Sequence, residues 1–361
     1  MKHADPRSRQ VATSADVAAA GAAVAGVIAA GRRLRSRRLF TATAAITGLL
    51  ALLAASTPGP AHAQNFPSKP LRFVVPFPAG SATDAAARII AQAISDEMKS
   101  PITVENKPGA NGILGAETVK AAAGDPHTLL VTTNTTQAAN VSLYKKLPYD
   151  PVKDFTPIAK IGITGFMLMV PPDFPASNLK EFIAYAKANP GKLSYGHGSA
   201  GSLVSGALLV QMAGIQATSV AYKGIPLAMT DLIGGTIQFG FADIGNAVSQ
   251  INGGKLKGLA VTPTRRAGRA PNVPTIAEAG LPGYEVVAWF GLLAPANIPK
   301  DAQQKLTTAM LAVLARPDVR ERLGGAGIDI DALDSAGLAK AIDTEIARWA
   351  KWVKDAGITP E

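Results

Sequence analysis

The residues with the clearest chemical potential form the junction at positions 76–84, which reads Pro-Phe-Pro-Ala-Gly-Ser-Ala-Thr-Asp between an apolar segment and a predicted helix. The first turn of a helix has unpaired N–H groups at the positive end of the helix dipole. Such a junction binds an anion without a charged side chain. The predicted contacts are Phe77, Ala79, Gly80, Ser81, Ala82, Thr83 and Asp84. For Ser81 and Asp84 a second interpretation stays open, since Ser-x-x-Asp resembles a capping box.

A second glycine-rich junction follows another predicted strand at residues 196–202. It contains G-x-G-x-x-G, but a dinucleotide site also needs an acidic residue about 20 positions later, and residues 219–223 contain none. The junction is therefore predicted to be another site for an anion. Its predicted contacts are His197, Gly198, Ser199, Ala200, Gly201 and Ser202.

A serine hydrolase is disfavoured by the same residues. A nucleophile elbow requires glycine two positions before Ser199, where the chain has His197. We expect His127 to be solvated in a turn, and His197 to line a cleft as a hydrogen-bonding residue and not as a base. An exported hydrolase remains an alternative, but the protein is not expected to be an enzyme.

Metal and cofactor sites find little support. The chain has no cysteine and only four histidines, and no acidic run matches a calcium loop. A site made of carboxylates alone stays open, but we predict neither a metal nor a cofactor.

Three further strand ends are expected to face the same cleft with polar groups. They contribute Thr133, Asn134, Thr135, Tyr222, Lys223 and Asp243. The Thr/Asn run would equally suit a turn that satisfies its own backbone, and Lys223 would equally suit a solvated strand end.

The positive charge of the chain is concentrated at its N-terminus. Residues 1–63 hold eight basic and two acidic residues, which leaves 28 basic against 24 acidic residues for the remainder. This distribution argues against a nucleic-acid partner. Basic residues 32–38, the apolar run 39–55 and Ala61-x-Ala63 predict a signal peptide with cleavage after Ala63, by either the Sec or the twin-arginine pathway. With no cysteine, the exported protein has no disulfide.

The chain from Gln64 onward alternates short apolar strands with amphipathic helices, which predicts an α/β fold with largely parallel sheets. We expect two lobes, one formed by residues 64–165 and 286–361 and the other by residues 166–285. Two apolar segments, 158–170 and 284–293, are predicted to be paired crossover strands, and helices at 301–315, 317–323 and 335–355 to return to cover the first lobe. The ligand is then expected in the cleft between the lobes, at the carboxyl ends of the strands, and closure by a hinge follows from this arrangement.

Four stretches carry a resemblance to a known family: residues 76–84, 143–155, 222–224 and 273–284. Together they make the chain similar to the Bug family of substrate-binding proteins of tripartite tricarboxylate transporters. The resemblance implies a monomeric, two-lobed periplasmic-binding-protein fold of type II. It also implies capture of a dicarboxylate, amino acid or aromatic acid for a membrane permease with a large and a small subunit.

In that family the ligand carboxylate lies between two cleft loops, which correspond here to residues 77–84 and 197–202. The chain departs from the family pattern at Ser81, at residues 136–141 and at His197, so the substrate stays open. A protein that presents its ligand to a sensor kinase is an alternative with the same features.

Overall fold

The computed structural model describes residues 66–361. The predicted signal peptide, its cleavage site and the predicted mature N-terminus at Gln64 lie outside the described residues. The described residues 66–361 belong to one compact unit. Within the described part, no helix combines the length and the hydropathy needed to cross a bilayer.

Short apolar segments form the strands, and all six residues of the third are buried. The described residues contain ten strands: β1 Leu71–Val75, β2 Ile102–Asn106, β3 Thr128–Thr133, β4 Phe155–Val170, β5 Leu193–His197, β6 Ala217–Ala221, β7 Phe239–Asp243, β8 Lys257–Val261, β9 Val287–Pro295 and β10 Asp329–Leu333. The sequence pattern did not predict β10.

Amphipathic segments between the strands form the helices. The described part holds ten α-helices: α1 Ala82–Met98, α2 Ile113–Lys120, α3 Asn140–Leu143, α4 Leu179–Ala188, α5 Ala200–Ala213, α6 Ile225–Ile233, α7 Ile244–Asn252, α8 Lys300–Ala315, α9 Pro317–Gly325 and α10 Ser335–Asp355. The pattern located most of them but did not predict α3 or α7.

The long strand β4 belongs to two sheets. Its first part pairs with β9 in antiparallel register, ending at Gly165 opposite Val287. From Phe166 onward it pairs with β7 and β8 instead. The strand order is therefore β2-β1-β3-β9-β4-β7-β5-β6. This topology confirms the predicted α/β fold and the pairing of the two crossover segments. The expectation of largely parallel sheets is wrong, because every pairing that involves β4 or β9 among the described strands is antiparallel.

Each sheet buries its own apolar side chains. Around the first sheet, Phe73, Leu129 and Phe290 pack against Ile90 and Ile94 of α1. Around the second, Phe182 and Phe239 form the centre of a larger cluster. Since packed helices hold the strand ends in place, the loops that follow β1 and β5 have fixed positions.

The C-terminal helix α10 crosses from one cluster to another. Leu338 and Ile342 pack with side chains of β1, β3 and β9, whereas Trp349 and Val353 lie in the cluster of the second sheet. The Trp349 indole N–H donates to Glu345 Oε2 at 3.1 Å. The expectation that this helix returns to cover the first lobe stays a prediction, and its last turns join the cluster that also contains side chains of the second sheet.

His127 is buried, so the expectation of a solvated histidine is also wrong. The Ser68 amide donates to His127 Nε2 at 3.1 Å, and His127 Nδ1 lies 3.2 Å from Asp125 Oδ1. The His127 ring thus connects Ser68, near the start of the described residues, to the residues that precede β3.

We expect Trp349→Ala to lower the free energy of unfolding by about 3–5 kcal/mol, because a fully buried indole leaves a cavity when removed. Urea unfolding followed by far-UV circular dichroism measures the change. Lys351→Ala, an exposed position on the same helix, should stay within about 0.5 kcal/mol. Equal effects of the two substitutions would contradict this packing.

Candidate ligand-binding site

The first loop orders itself with its own polar side chains. Ser81 caps α1 by accepting a hydrogen bond from the Asp84 amide at 3.2 Å. Asp84 in turn accepts from the Gly80 amide at 3.0 Å, from Asn106 at 2.9 Å and from Arg88 at 3.0 Å. Burial opposes ionisation, but these bonds and the Arg88 charge together lower the pKa of Asp84 below its ordinary value. Both oxygens of the Asp84 carboxylate therefore already have hydrogen-bond donors within the protein.

The next two amides of this loop have no such partner. The Ala82 and Thr83 N–H groups find no acceptor within residues 66–361. Both residues are nevertheless almost fully buried. They therefore present two donors at the positive end of the α1 dipole.

The second loop repeats this arrangement with serines. Ser199 caps α5, and Ser202 Oγ accepts from the Gly198 amide at 3.0 Å and from the Ser199 amide at 3.1 Å. The Ala200 and Gly201 amides have no acceptor in the described part of the chain. A β-carbon at Gly201 would lie 2.1 Å from Phe166 Cζ, so position 201 tolerates no side chain.

A narrow cavity lies where the two loops meet. It has about 360 Å³ of empty space, part of which is open to solvent. Ten of the sequence-predicted residues line it: Phe77, Ser81, Ala82, Thr83, Thr133, Asn134, Thr135, Gly198, Ser199 and Asp243.

The other predicted residues lie around this cavity without lining it. Ala79, Gly80, Asp84 and Ser202 belong to the loops, and Ala200 and Gly201 form the first turn of α5. His197, Tyr222 and Lys223 line a neighbouring cavity beside the C-terminal residues 358–361. Contact of these residues with a ligand stays a prediction.

The ionisation state of His197 and the hydrogen bond of the Tyr222 hydroxyl are both defined by the structure. Burial lowers the pKa of His197 to about 4, which keeps the ring neutral at physiological pH. The Tyr222 hydroxyl donates to Asp231 Oδ2 at 2.6 Å. The neutral His197 ring therefore supplies no positive charge to the cleft, and the Tyr222 hydroxyl already has an acceptor within the protein.

Asn134 follows β3 and carries an unpaired donor. Its Oδ1 accepts from the Trp289 amide at 3.3 Å, while its Nδ2 has no partner in the described structure. The neighbouring Thr133 hydroxyl accepts from the Thr135 amide at 3.1 Å. The Thr/Asn run thus partly satisfies its own backbone, but the Asn134 amide is left for another acceptor. A buried donor without a partner is costly, so a ligand acceptor here is favoured.

Asp243 ends β7 directly opposite Phe166 of β4. It is 7% exposed and is the one ionisable side chain among the described residues that line the cavity. Burial raises the pKa of its carboxyl to about 7. No side chain within the described residues forms a salt bridge with it.

An apolar wall completes the cavity, and sequence reasoning missed it. Its members are Phe166, Ile225, Ala288 and Phe290. Ala288 and Phe290 share one face of β9 because side chains alternate along a strand. The alternation of side chains along β9 can be predicted from the sequence. Which face of β9 meets the cavity depends on its pairing with β4 and β3, and no local motif predicts that pairing.

Metal binding has no geometric support in this region. Across residues 66–361, no group of three or more His, Asp or Glu side chains is arranged to hold a metal ion.

We expect Asp243 to make the native state less stable as pH rises. The native protein keeps this proton up to about pH 7, whereas the unfolded chain releases it near 3.8. Unfolding therefore releases a proton in this window, and the contribution of Asp243, complete below pH 4, is lost as pH rises through 7. The Tm of Asp243→Asn relative to wild type should consequently increase between pH 4 and pH 8.

Differential scanning calorimetry at several pH values measures this difference. Asp173→Asn, which removes an exposed carboxylate, serves as the control and should show no such trend. A constant Tm difference between Asp243→Asn and wild type across the range would contradict the assignment.

Known proteins resemble this chain over nearly its whole described length. A protein of Cupriavidus necator named for the gbd 5′ region is 37% identical over 297 residues, which cover 80% of this chain and 88% of the relative. Protein BugT of Bordetella pertussis is 29% identical over 333 residues, covering 88% of this chain and 98% of BugT.

Solved structures show the same architecture. A Rhodopseudomonas palustris protein, Rpa4515 with adipate, matches with a TM-score of 0.80 and 31% identity, covering 82% of this chain and all of that one. MatC from the same organism, solved with malate, matches with a TM-score of 0.75 and 36% identity, covering 80% and 100%. The family model described as "Tripartite tricarboxylate transporter family receptor" matches residues 86–358. The chain therefore belongs to this receptor family of tripartite tricarboxylate transporters.

Proposed function

We propose that the protein is a periplasmic solute-binding protein that captures a small carboxylate for a tripartite tricarboxylate-type transporter. One observation carries the proposal: the N-terminus of α1 with its unpaired Ala82 and Thr83 amides, the Gly198–Ser199 turn before α5 and the Asn134 side chain meet at a single narrow cavity. The family relationship and the dicarboxylates in the solved relatives support the same ligand class.

The chemistry of capture needs no cation. Among the described residues that line the cavity there is no lysine or arginine. A carboxylate has four lone-pair sites, which can accept from four donors drawn from the Ala82, Thr83, Ala200 and Gly201 amides and the Asn134 side chain. Such fixed amides keep their orientation before the ligand arrives, so little entropy is lost in ordering them.

The lobes are proposed to divide at residues 165/166 and 285/286. Support comes from β4, which exchanges β9 for β7 as its partner between Gly165 and Phe166. The two loops then belong to different lobes, and rotation at this point closes them on a ligand.

Catalysis is not part of the proposed role. The Ser199 hydroxyl is used within the capping box of α5. His197 lines the neighbouring cavity and not the one between the loops. The family is one of binding proteins, which agrees with a site that lacks a paired nucleophile and base.

Delivery is proposed to follow export of the chain, with cleavage of the signal peptide after Ala63. The loaded monomer would then dock on a membrane permease with a large and a small subunit. This assignment rests on the family relationship.

A thermal-shift screen of refolded protein, freed of carried-over ligand, tests the proposal. Mono-, di- and aromatic carboxylates are compared, and a ligand at 100 times its Kd should add about 2.7 kcal/mol to the free energy of unfolding. Stabilisation by none of them would overturn the proposal.

Asn134→Ala should weaken binding of the carboxylate found in that screen by about 10- to 150-fold, because a hydrogen bond to a charged group contributes about 1.5–3 kcal/mol. Isothermal titration calorimetry measures the Kd. Asn246→Ala deletes another amide that has no partner in the described structure but lies outside the cavity, so it should leave the Kd within threefold. Equal losses in both variants would count against a ligand contact at Asn134.

Gly224→Ala should also weaken binding, by obstructing closure. A β-carbon at Gly224 would lie 2.4 Å from Pro78 Cδ of the first loop. Because the obstruction acts between the proposed lobes, we expect a faster ligand dissociation rate with an unchanged Tm of the ligand-free protein. Stopped-flow measurement of ligand release checks this.

Gly268→Ala is the matched control, since a β-carbon there meets no atom within 4 Å. If the Gly224 variant released its ligand at the wild-type rate, closure against Pro78 would not occur.

A further inference from the structure

In the proposed function, the amides of the two loops bind the carboxylate end of the ligand. Asp243 lines the same cavity and takes no part in that binding. Its carboxyl is 7% exposed. No hydrogen bond reaches it from the Ala82, Thr83, Ala200 or Gly201 amides, and no basic side chain of the described residues lines the cavity beside it. A buried carboxylate without a partner is costly, so the missing partner is expected to come with the ligand.

A second carboxylate on the ligand would be a poor partner. Two carboxylates in one poorly solvated site repel each other, and one of them must take up a proton. A positively charged nitrogen removes this conflict, since it pairs with ionised Asp243 and donates hydrogen bonds to it.

The apolar wall favours a cation for a second reason. Phe77, Phe166 and Phe290 line the same cavity as Asp243. Aromatic ring faces attract ammonium groups, and more strongly where water is excluded. Phe166 is also fixed in place, both by pairing with Asp243 across the sheet and by packing on Gly201.

We propose that Asp243, together with the three phenylalanine rings, selects a zwitterion: a ligand whose carboxylate lies on the two helix N-termini and whose ammonium group faces Asp243. The inference rests on the proposed capture of a carboxylate and specifies the other end of the ligand. Asp243 is then the residue that separates amino acids from dicarboxylates.

Matched pairs of probes test the selectivity. The ω-amino acids β-alanine, 4-aminobutyrate, 5-aminovalerate and 6-aminohexanoate are each compared with the dicarboxylate of the same chain length. Glutamate and glutarate form an additional pair. In each ω-amino acid pair an ammonium group replaces one carboxylate at equal chain length, whereas glutamate keeps both carboxylates of glutarate and adds an ammonium group.

Isothermal titration calorimetry of the ligand-free protein at pH 8 measures each Kd. Burial gives Asp243 a pKa of about 7, so its carboxyl is ionised in this buffer. For at least one pair, we expect the ammonium compound to bind at least tenfold more tightly than its partner.

Asp243→Asn tests whether the preference comes from this residue. The variant keeps the size of the side chain but loses the charge, so the preference within the pair should fall below threefold, chiefly because the ammonium compound binds more weakly. Asp173→Asn removes an exposed carboxylate and should keep the wild-type preference. Circular dichroism and the Tm show whether both variants are folded.

The outcomes separate this inference from the proposed function. If dicarboxylates bind the wild-type protein as tightly as, or more tightly than, the ammonium compounds, the zwitterion is excluded and carboxylate capture stands. If the preference persists in Asp243→Asn, Asp243 is not its source. If no carboxylate of either kind binds, both proposals fail together.

Discussion

The unpaired amides at the start of α1 and α5 are the constraint on which the rest of the site depends. The first N–H groups of a helix have no intrahelical acceptor, so their direction depends on how the preceding loop is held. Asp84 serves this purpose in the first loop and Ser202 in the second, each accepting from the glycine-containing turn before it. Their hydrogen bonds order the loops and leave the Ala82, Thr83, Ala200 and Gly201 amides without an acceptor among the described residues, of which Ala82 and Thr83 line the cavity.

The shared strand β4 brings the two loops to one cavity. Because it pairs with β9 up to Gly165 and with β7 beyond it, the loops after β1 and β5 face each other. The contact between Pro78 and Gly224 limits how closely they approach. Helix α10 reinforces the arrangement by packing Ile342 and Trp349 into different clusters.

Charge is distributed unusually in this cavity. Its donors are neutral backbone and amide groups, and Asp243 is its one ionisable group among the described residues. Neutral donors hold an anion through fixed dipoles, which costs no desolvation of a protein cation. The buried Asp243 carboxyl and the apolar wall line the same cavity as these donors, and electrostatic interactions are stronger where water is excluded.

The sequence by itself determined the two loops, the fold class and the pairing of the crossover segments, because caps, glycine turns and apolar strands are local patterns within a few residues. Only the tertiary structure decided the apolar wall, since Phe166, Ile225 and Phe290 meet through strand pairing between distant residues. It also decided that His127 is buried and that His197 and Lys223 line a different cavity from Asp243. A local pattern fixes where a helix starts, but long-range packing fixes what that start faces.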